Sequence, residues 1–560
     1  MQVQKKLFPW LVKNIARRVP AIILLTAAQV GQALFSVFFA LGTSGVIDSA
    51  ASGDAHAFRS ACLIQAGIIS GVLVCTILMR HLREKLLADL EMDWKRRLLQ
   101  GLLYGDYAQV KQYHSAELLN RLNNDVQKVN EGIVSIIPGG AAMVTRLVAA
   151  VWVLGVLDAR FTLVMVILGG LAILATGLMR RKMKNLNKQV SRHDGKVSGF
   201  LQECMEKLLM VQAMDVSTEV EKRSDGLLRN RYRIQRKRKN VSLLANTCVN
   251  VMYYGAGFLA LAWCANGMMQ GWMTFGNLTA VIQLVNQLQA PFMNLSGLMP
   301  QYLALVASGE RLMELDSIQG EPEPAEVDAA ALYHQMDSLG GEGICFAYDR
   351  DHVFRNADFR LPKGAFAVIT GPSGIGKSTL LKLLLGVFRL DSGELFLQAG
   401  QKRIRLDRSM RRLFAYVPQG NLLFSGTLRE NLTIVRPDAT EEELSQAVYV
   451  STMDEFLPQL PNGLDTVLGE SGAGLSEGQA QRLAIARAVL GGAPILLLDE
   501  CTSALDERTE DQVLRRLRAL PDRTAIAVTH RPAAIALCDW RLEVDQGKIL
   551  ARRADRQTTE

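Results

Sequence analysis

A glycine-rich run between a short apolar strand and a helix carries the clearest chemistry in this sequence. It reads Gly371-Pro-Ser-Gly-Ile-Gly376-Lys377-Ser378 and follows the apolar segment Phe366–Thr370. Glycines at this spacing let backbone N–H groups wrap around phosphates, and the start of the next helix adds positive potential. We expect Lys377 to reach the β- and γ-phosphates of a nucleotide and the Ser378 hydroxyl to bind Mg²⁺. The strand–loop–helix context favours this interpretation over a chance glycine turn.

Two adjacent carboxylates end a second apolar strand, Ile495–Leu498. Asp499 at a strand end beside the glycine loop suits Mg²⁺ coordination, usually through water. Glu500 is one residue further, where a carboxylate can polarise an attacking water. The pair alone is also compatible with a solvated strand end. Together with the glycine loop, it predicts nucleotide hydrolysis.

A second potential phosphate site lies between these strands. Leu475-Ser-Glu-Gly-Gln479 precedes a predicted helix over Gln481–Val489. A serine and a backbone glycine at a helix start form an anion site. Because one domain does not need two such sites for one nucleotide, this loop predicts two domains facing each other, each completing the other's site.

The composition indicates two unlike halves. The chain has 560 residues, 49% hydrophobic and 21% charged, with a mean hydropathy of +0.12. Such apolar content excludes a disordered chain. The net charge is +8, and since residues 341–560 sum to −1, residues 1–340 carry +9. That excess lies beside apolar runs, which favours a membrane protein with basic cytoplasmic loops over a nucleic-acid-binding protein.

Six apolar runs are long enough to cross a bilayer, which needs about 20 residues per helix. They are 20–47, 59–79, 134–157, 161–179, 243–264 and 275–307. The first lacks a cleavage-site pattern, so we expect a retained span. Basic residues precede the first run and fill the second and fourth loops, which places both termini and the two long loops in the cytoplasm. None of the eight cysteines belongs to a C-x-x-C pair. We therefore expect them to be free thiols packed in the protein, in a reducing compartment.

The two long loops show apolar residues at helical spacing, which predicts membrane helices that continue into water and turn back. A short helix at each turn is expected, over Ser115–Asn130 in the first and near Val211–Glu221 in the second. The acidic, proline-bearing stretch before Gly340 reads as a linker. We therefore predict a six-helix membrane domain over 1–319, a linker over 320–338 and an α/β P-loop ATPase domain over 339–560.

These motifs together resemble the nucleotide-binding domain of ATP-binding cassette (ABC) transporters, and the whole chain resembles an ABC half-transporter of the exporter fold. The Leu475–Gln479 loop matches the signature specific to that family. The resemblance implies ATP and Mg²⁺ as cofactors and a second half-transporter as partner. The ATP-binding residues it implies are Tyr348, Gly371, Ser373, Gly374, Gly376, Lys377, Ser378, Thr379, Ser476, Gly478, Gln479 and Asp506.

Individual roles follow from the same resemblance. Tyr348, 23 residues before Gly371, matches the aromatic residue stacked on adenine. Gln419 matches the residue that touches Mg²⁺ and senses the membrane domain, so Ser378, Gln419 and Asp499 form the implied metal set. His530 matches the histidine at the γ-phosphate and joins Glu500 and Gln419 as the implied catalytic residues.

Three further points follow from the family pattern. Glu470 matches the loop that contacts the coupling helices, and Asp506 belongs to a loop that crosses the dimer interface. The sequence departs from the pattern at Glu477, where glycine is commonest, and at Cys501, where small residues are usual. We expect a working site, with the Glu477 side chain pointing away from phosphate. The complete set of motifs allows a homodimer, which we favour, and leaves a heterodimer open.

The transported molecule is open. Polar residues within the spans are the available clue: Gln283, Gln287 and Asn294 share one face of the last span, and amides there line a wet cavity or bond helix to helix. Arg146 lies in the third span. A cation there can contact an anionic group on a substrate, extend its side chain toward the cytoplasmic interface, or form a structural pair with another residue. Two functions remain possible from the sequence. One is export of an amphipathic small molecule, lipid or peptide, and the other is import of a siderophore-type substrate. The absence of an N-terminal peptidase-like domain disfavours a leader-processing peptide exporter, and six spans exclude a nucleic-acid-associated ATPase.

Overall fold

The computed structural model describes residues 2–318, 327–348, 351–420, 423–469 and 474–554, without the side chains of 2–5, 172–176, 178–181, 249 and 289–299. Contacts divide the chain into two compact units. The first consists of Met1–Leu103 and His114–Ser317, and the second of Tyr104–Tyr113 and Ile318–Glu560. We describe each unit by itself.

Long helices dominate the chain before residue 319. The helices are α1 (Gln2–Ile15), α2 (Val19–Ala51), α3 (Ala55–Tyr104), α4 (Tyr107–Val110), α5 (Ser115–Asn120), α6 (Val126–Leu157), α7 (Ala159–Glu206), α8 (Leu208–Ala213), α9 (Ser217–Met269) and α10 (Phe275–Asp316). Each predicted span lies within one of them. Among the described residues, four stretches are long and apolar enough to cross a membrane: Lys6–Ala51, Ala55–Tyr104, Ser115–Leu157 and Ser217–Met269.

Side-chain caps and apolar packing position these helices. Asp158 makes the tight turn between α6 and α7, since its carboxylate accepts the backbone N–H of Arg160 at 2.9 Å. The other carboxylate oxygen accepts the Trp263 Nε1–H at 2.8 Å, which attaches α9 to the same turn. Buried apolar residues such as Val37, Leu154 and Leu284 fill the space between these helices.

The predicted short helix over Ser115–Asn130 is wrong, because this segment is the start of a long helix. Residues Arg121–Asp125 form a π-helical turn that joins α5 to α6 without a break. The short helix at the turn is instead α4, which begins eight residues before Ser115. The π turn faces α10: Asp125 is fully buried and accepts two bonds from Arg311 at 2.7 and 2.6 Å. The side chain of Ser308 also donates to Asp125, at 2.9 Å.

The second unit contains a mostly parallel sheet built from the apolar runs. The strands of this unit are β1 (Ser338–Tyr348), β2 (Asp351–Pro362), β3 (Phe366–Thr370), β4 (Ser392–Ala399), β5 (Lys402–Arg405), β6 (Phe414–Val417), β7 (Gly426–Thr427), β8 (Val467–Leu468), β9 (Ile495–Asp499), β10 (Thr524–Val528), β11 (Trp540–Asp545) and β12 (Lys548–Arg553). The six-stranded sheet has the order β12-β11-β3-β10-β9-β6, and all its strands except β12 run parallel. Its central strands are buried on both faces, as continuous apolar runs in parallel sheets usually are.

Helices and a second sheet complete this unit. The helices are α11 (Ala329–Gln335), α12 (Lys377–Leu384), α13 (Leu428–Thr433), α14 (Glu441–Val450), α15 (Glu477–Leu490), α16 (Glu507–Arg518) and α17 (Pro532–Leu537). An antiparallel sheet has the order β2-β1-β4-β5. Part of the stretch predicted as a linker is ordered here: α11 places Tyr333 in the core, where its hydroxyl bonds Thr524 at 2.9 Å.

Candidate nucleotide-binding site

The glycine loop runs from the end of β3 into α12. Gly371, Gly374 and Gly376 have φ values of +145°, +80° and +110°, which side-chain-bearing residues rarely adopt. A Cβ on Gly371 would lie 2.5 Å from the Val544 carbonyl oxygen, and one on Gly376 would lie 2.2 Å from Val353. Only glycine therefore fits these two positions. Ser373, at the tip of the loop, is exposed to an incoming ligand.

The amine of Lys377 lies at the centre of this loop. The residue is buried, and Nζ donates to the carbonyl oxygens of Gly371 at 2.8 Å and Pro372 at 2.9 Å. These two bonds hold a cation beside the N-terminus of α12. The arrangement concentrates positive potential where the phosphates of a nucleotide are expected.

The end of β9 meets the start of α12. The Ser378 hydroxyl donates to Asp499 Oδ1 at 2.7 Å, and the Tyr416 hydroxyl donates to Oδ2 at 3.0 Å. Burial, followed by the neighbouring Asp499 charge, raises the pKa of Tyr416, so this phenol remains a hydrogen-bond donor. Adjacent hydroxyl and carboxylate oxygens are the hard ligands that Mg²⁺ prefers, usually completed by waters and substrate phosphates. The donor set of Ser378 and Asp499 therefore fits Mg²⁺.

Glu500 is held in an unusual backbone conformation. Its φ is +49°, in the left-handed region, and its N–H donates to the Val528 carbonyl oxygen at 3.0 Å. Gln419 Nε2 donates to Glu500 Oε2 at 2.6 Å. The structure thus brings together two of the three residues predicted to be catalytic. Positive φ at a non-glycine residue costs about 1–3 kcal/mol and is typical of functional sites.

The third predicted catalytic residue, His530, lies just beyond β10 and is exposed. The next residue, Arg531, donates to the Leu505 carbonyl oxygen at 2.8 Å and to Glu510 Oε2 at 3.1 Å. Arg531 also contacts the Ser503 carbonyl oxygen. It therefore ties the segment of His530 to the loop before Asp506, a role the sequence did not reveal because its partners lie 21 to 28 residues away.

Tyr348 marks the other end of the site. Its hydroxyl is 3.3 Å from Thr379 Oγ1, and its ring packs edge-to-face with Phe346 and Phe388 at centroid distances of 4.9 and 5.3 Å. The Lys111 amine lies 5.4 Å from the Tyr348 ring centroid. Tyr348 is 36% exposed, so ring surface is available for stacking.

We expect Tyr348→Ala to raise the KM for ATP by roughly tenfold while changing kcat little, because stacking of a base on an aromatic ring is lost. Tyr348→Phe is the matched control, since it keeps the ring and removes only the bond to Thr379. Steady-state phosphate release against ATP concentration measures both. An unchanged KM in Tyr348→Ala contradicts the adenine assignment.

The predicted signature loop starts α15. Ser476 caps this helix: its Oγ accepts the Gln479 N–H at 3.3 Å, and the Gln479 side chain accepts the Ser476 N–H at 2.9 Å. Both side chains are thus engaged within the loop. Glu477 is exposed at the first helical position, and a Cβ on Gly478 would lie 2.9 Å from the Ala504 carbonyl oxygen.

Two other predicted residues are defined by their surroundings. Asp506 caps α16, where the backbone N–H of Thr509, 3.0 Å away, lowers the pKa of its carboxyl. Cys501 is buried, and burial raises the pKa of its thiol to about 12, which fits a packing role. Glu470 lies outside the described residues.

The polar residues predicted in the membrane spans differ in what surrounds them. Gln287 joins α10 to α2: Nε2 donates to the Ser36 carbonyl oxygen at 2.5 Å, and Oε1 accepts the Ser36 hydroxyl at 3.2 Å. Gln283 is half-buried, and the side chain of Asn294 lies outside the described residues. Arg146 is half-buried, and its Nε is buried without a hydrogen-bond partner in the described part of the chain.

Comparison with known proteins matches both halves of the chain. The family model of the ABC transporter transmembrane region matches residues 20–292, and the family model described as ABC transporter matches residues 354–503. An ATP-dependent lipid A-core flippase of Vibrio cholerae is 27% identical over 82% of this chain and 79% of its own. An ATM1-type heavy metal exporter of Novosphingobium aromaticivorans is 35% identical over 54% of this chain and 49% of its own.

A solved structure has the same fold. The ATP-bound structure of a bacterial Atm1-family ABC exporter superposes with a TM-score of 0.77 at 24% identity, over 97% of this chain and 95% of that one. The predicted fold class, a helical membrane domain followed by an α/β P-loop ATPase, is confirmed. The chain belongs to the ABC transporters, as a half-transporter of the exporter fold that binds ATP and couples its hydrolysis to transport.

Proposed function

We propose that this protein is one half of a dimeric ATP-driven exporter that moves a small amphipathic molecule, lipid or peptide across the cytoplasmic membrane. The observation that carries the proposal is the pairing of Gln419 with Glu500, 2.6 Å apart at the carboxyl ends of the parallel strands. A carboxylate that can polarise water, held by its partner beside a glycine loop, supports ATP hydrolysis by the chain. The relatives named as an exporter and a flippase support the use of that hydrolysis to move a substrate outward.

The proposed chemistry uses a few side chains in turn. ATP stacks on Tyr348, and its phosphates enter the glycine loop around Lys377, with Ser373, Gly374, Gly376 and Thr379 along them. Glu500 accepts a proton from the attacking water, and His530 contacts the γ-phosphate. Ser378, Asp499 and Gln419 would hold Mg²⁺, which would neutralise charge on the phosphates when bound.

A second chain completes each proposed site. Ser476, Gly478 and Gln479 start α15, where a helix N-terminus attracts anions, and Asp506 lies in the neighbouring loop. We assign this end to the nucleotide held by the partner, with a homodimer as the first choice and a heterodimer as the alternative. The domain bounds we assign are 1–319, 320–338 and 339–560.

We place the protein in the cytoplasmic membrane with both termini in the cytoplasm. The basic residues that flank the predicted spans support this orientation, because positively charged loops remain on the cytoplasmic side. The ATPase unit then meets cytoplasmic ATP.

Transport by inside-out membrane vesicles tests the function directly. A panel of fluorescent amphipathic compounds and headgroup-labelled lipids is added outside, with ATP or with a non-hydrolysable analogue. ATP-dependent accumulation of at least one compound supports export. ATP-dependent loss from preloaded vesicles, with accumulation of none, supports the importer alternative and contradicts export.

Arg146 is the proposed contact for an anionic group on the substrate. It lies 12 residues before Asp158, about 18 Å along the helix and near the middle of a ~30 Å bilayer core. A cation at that depth needs a partner, and its Nε has none among the described residues. The amides Gln283 and Gln287 lie on α10 of the same unit, where we propose that they help line the path.

We expect Arg146→Ala to keep basal ATPase activity and to lose stimulation by anionic substrates, while Arg146→Lys keeps part of that stimulation. Lysine retains the charge and loses the planar fork that binds carboxylate or phosphate bidentately. ATPase assays in proteoliposomes over a panel of anionic and neutral compounds measure this. Arg146 is structural if every compound that stimulates the wild-type ATPase also stimulates Arg146→Ala, or if Arg146→Ala does not fold.

A further inference from the structure

Six basic residues whose side chains the structure describes lie where α7 and α9 leave the predicted membrane spans: Lys182, Lys184, Arg236, Lys237, Arg238 and Lys239. We call them the basic belt. All are exposed except Arg238, which is half-buried. The structure gives none of the six an ion pair or a hydrogen bond within the described residues. Six cations without counter-charges on neighbouring turns repel one another unless anions approach.

The helices themselves supply no nearby acid. From the start of α7, the first acidic residue is Asp194, and α9 has none after Asp225. Asp194 is already paired with Arg231, and Asp225 with Arg229. Because Arg231 contacts Asp194 between antiparallel helices, Arg236–Lys239 lie level with the part of α7 that precedes Asp194. The basic belt is therefore one continuous cationic zone on two packed helices.

The position of this zone matches the lipid headgroups. At 1.5 Å per residue, the belt lies about 4–11 Å from residue 179 or residue 243, the ends of the two apolar runs. Headgroups occupy about 5–8 Å on each side of the hydrocarbon core, and long basic side chains extend toward that interface. Free anions in solution reach any surface, whereas headgroups are fixed at this depth at high local concentration.

We propose that the basic belt binds the anionic headgroups of phospholipids in the leaflet around the ends of α7 and α9. The proposal rests on the membrane placement proposed above and concerns a surface separate from the ATP site. A basic residue near a charged bilayer attracts a monovalent anionic lipid by roughly fivefold, and the effect falls off within a Debye length of about 8–10 Å. The protein should therefore be surrounded preferentially by anionic lipids.

Spin-labelled lipids test this without nucleotide. The full chain is reconstituted in phosphatidylcholine vesicles with trace spin-labelled phosphatidylglycerol or phosphatidylcholine, and the motionally restricted fraction gives the relative association constant. Wild type is expected to favour phosphatidylglycerol about threefold or more, and Arg236→Gln/Lys237→Gln/Lys239→Gln to lose at least half of that preference. At 1 M NaCl, where the Debye length is about 3 Å, the preference should vanish.

Matched variants separate the belt from total charge. Arg192→Gln/Lys196→Gln/Arg229→Gln removes three exposed cations about 20 Å or more from the apolar runs, so it should behave as wild type. Arg236→Lys/Lys237→Arg/Lys239→Arg keeps the charge and should keep the preference. If the triple glutamine variant does not reach the membrane, Lys182→Gln/Lys184→Gln tests the same belt from α7.

Three results would overturn the proposal. They are equal preference in wild type and belt variants, equal loss in the distal control, and competition by millimolar free phosphate, which would identify a soluble anion as the ligand. None of these bears on export, because transport is measured separately in vesicles. Absence of ATP-dependent transport with intact lipid preference would contradict the proposed function alone.

Discussion

Glu500→Gln is expected to bind ATP but to hydrolyse it at least about 10²-fold more slowly than wild type, because an amide cannot accept the proton of the attacking water. The substitution preserves size, so the contact with Gln419, 2.6 Å away in the wild type, can re-form with the amide. The nucleotide-bound dimer should therefore persist. Phosphate release and size-exclusion chromatography with ATP measure the two effects.

Glu442→Gln is the matched control for this change. Glu442 is an exposed glutamate on α14 of the same unit, so the same chemistry is altered away from the strand ends. We expect its turnover to equal that of wild type. Near-normal turnover in Glu500→Gln would reject Glu500 as the general base.

Mixing two inactive variants is expected to restore ATPase activity. Lys377→Ala removes the cation of the glycine loop, and Ser476→Arg blocks the start of α15. In a mixed dimer both defects fall on one composite site, and the other site is intact. Random pairing should then recover about a quarter of wild-type activity, since half of the dimers are mixed and each has one working site.

Two affinity tags, purified in sequence, isolate the mixed dimers. ATP occluded after vanadate trapping gives a second readout that does not require both sites to turn over. Absence of both hydrolysis and occlusion in proven mixed dimers would show that Lys377 and Ser476 do not act across the interface.

Local patterns predicted the parts of the site that are contiguous in sequence. The glycine loop, Asp499–Glu500 and the start of α15 each combine a strand or helix end with the residues that its geometry requires, so they are recognisable one at a time. The pairing of Gln419 with Glu500 was not among the expected contacts, and it arises because β6 and β9 are neighbours in the sheet.

Contacts between distant segments were not predictable. Tyr416 lies in β6, three residues before Gln419, and only the fold shows that its hydroxyl reaches Asp499. Asp125, the buried last residue of the π turn, binds Arg311, which lies 186 residues away. Helical periodicity in the sequence does not reveal contacts with distant residues, so it predicts a separate short helix there.

The segment Tyr104–Tyr113 belongs to the ATPase unit although more than 200 residues separate it from Ile318 along the chain. Tyr107 packs against Phe388 at 5.9 Å, and Arg408 donates to the Tyr104 carbonyl oxygen at 3.2 Å. Phe388 is only 7% exposed with this segment in place. A fragment that begins at Ile318 would therefore expose an aromatic surface to water and tend to self-associate. Fusing residues 104–113 to this fragment should cover that surface and give a more monodisperse sample for crystallisation or calorimetry.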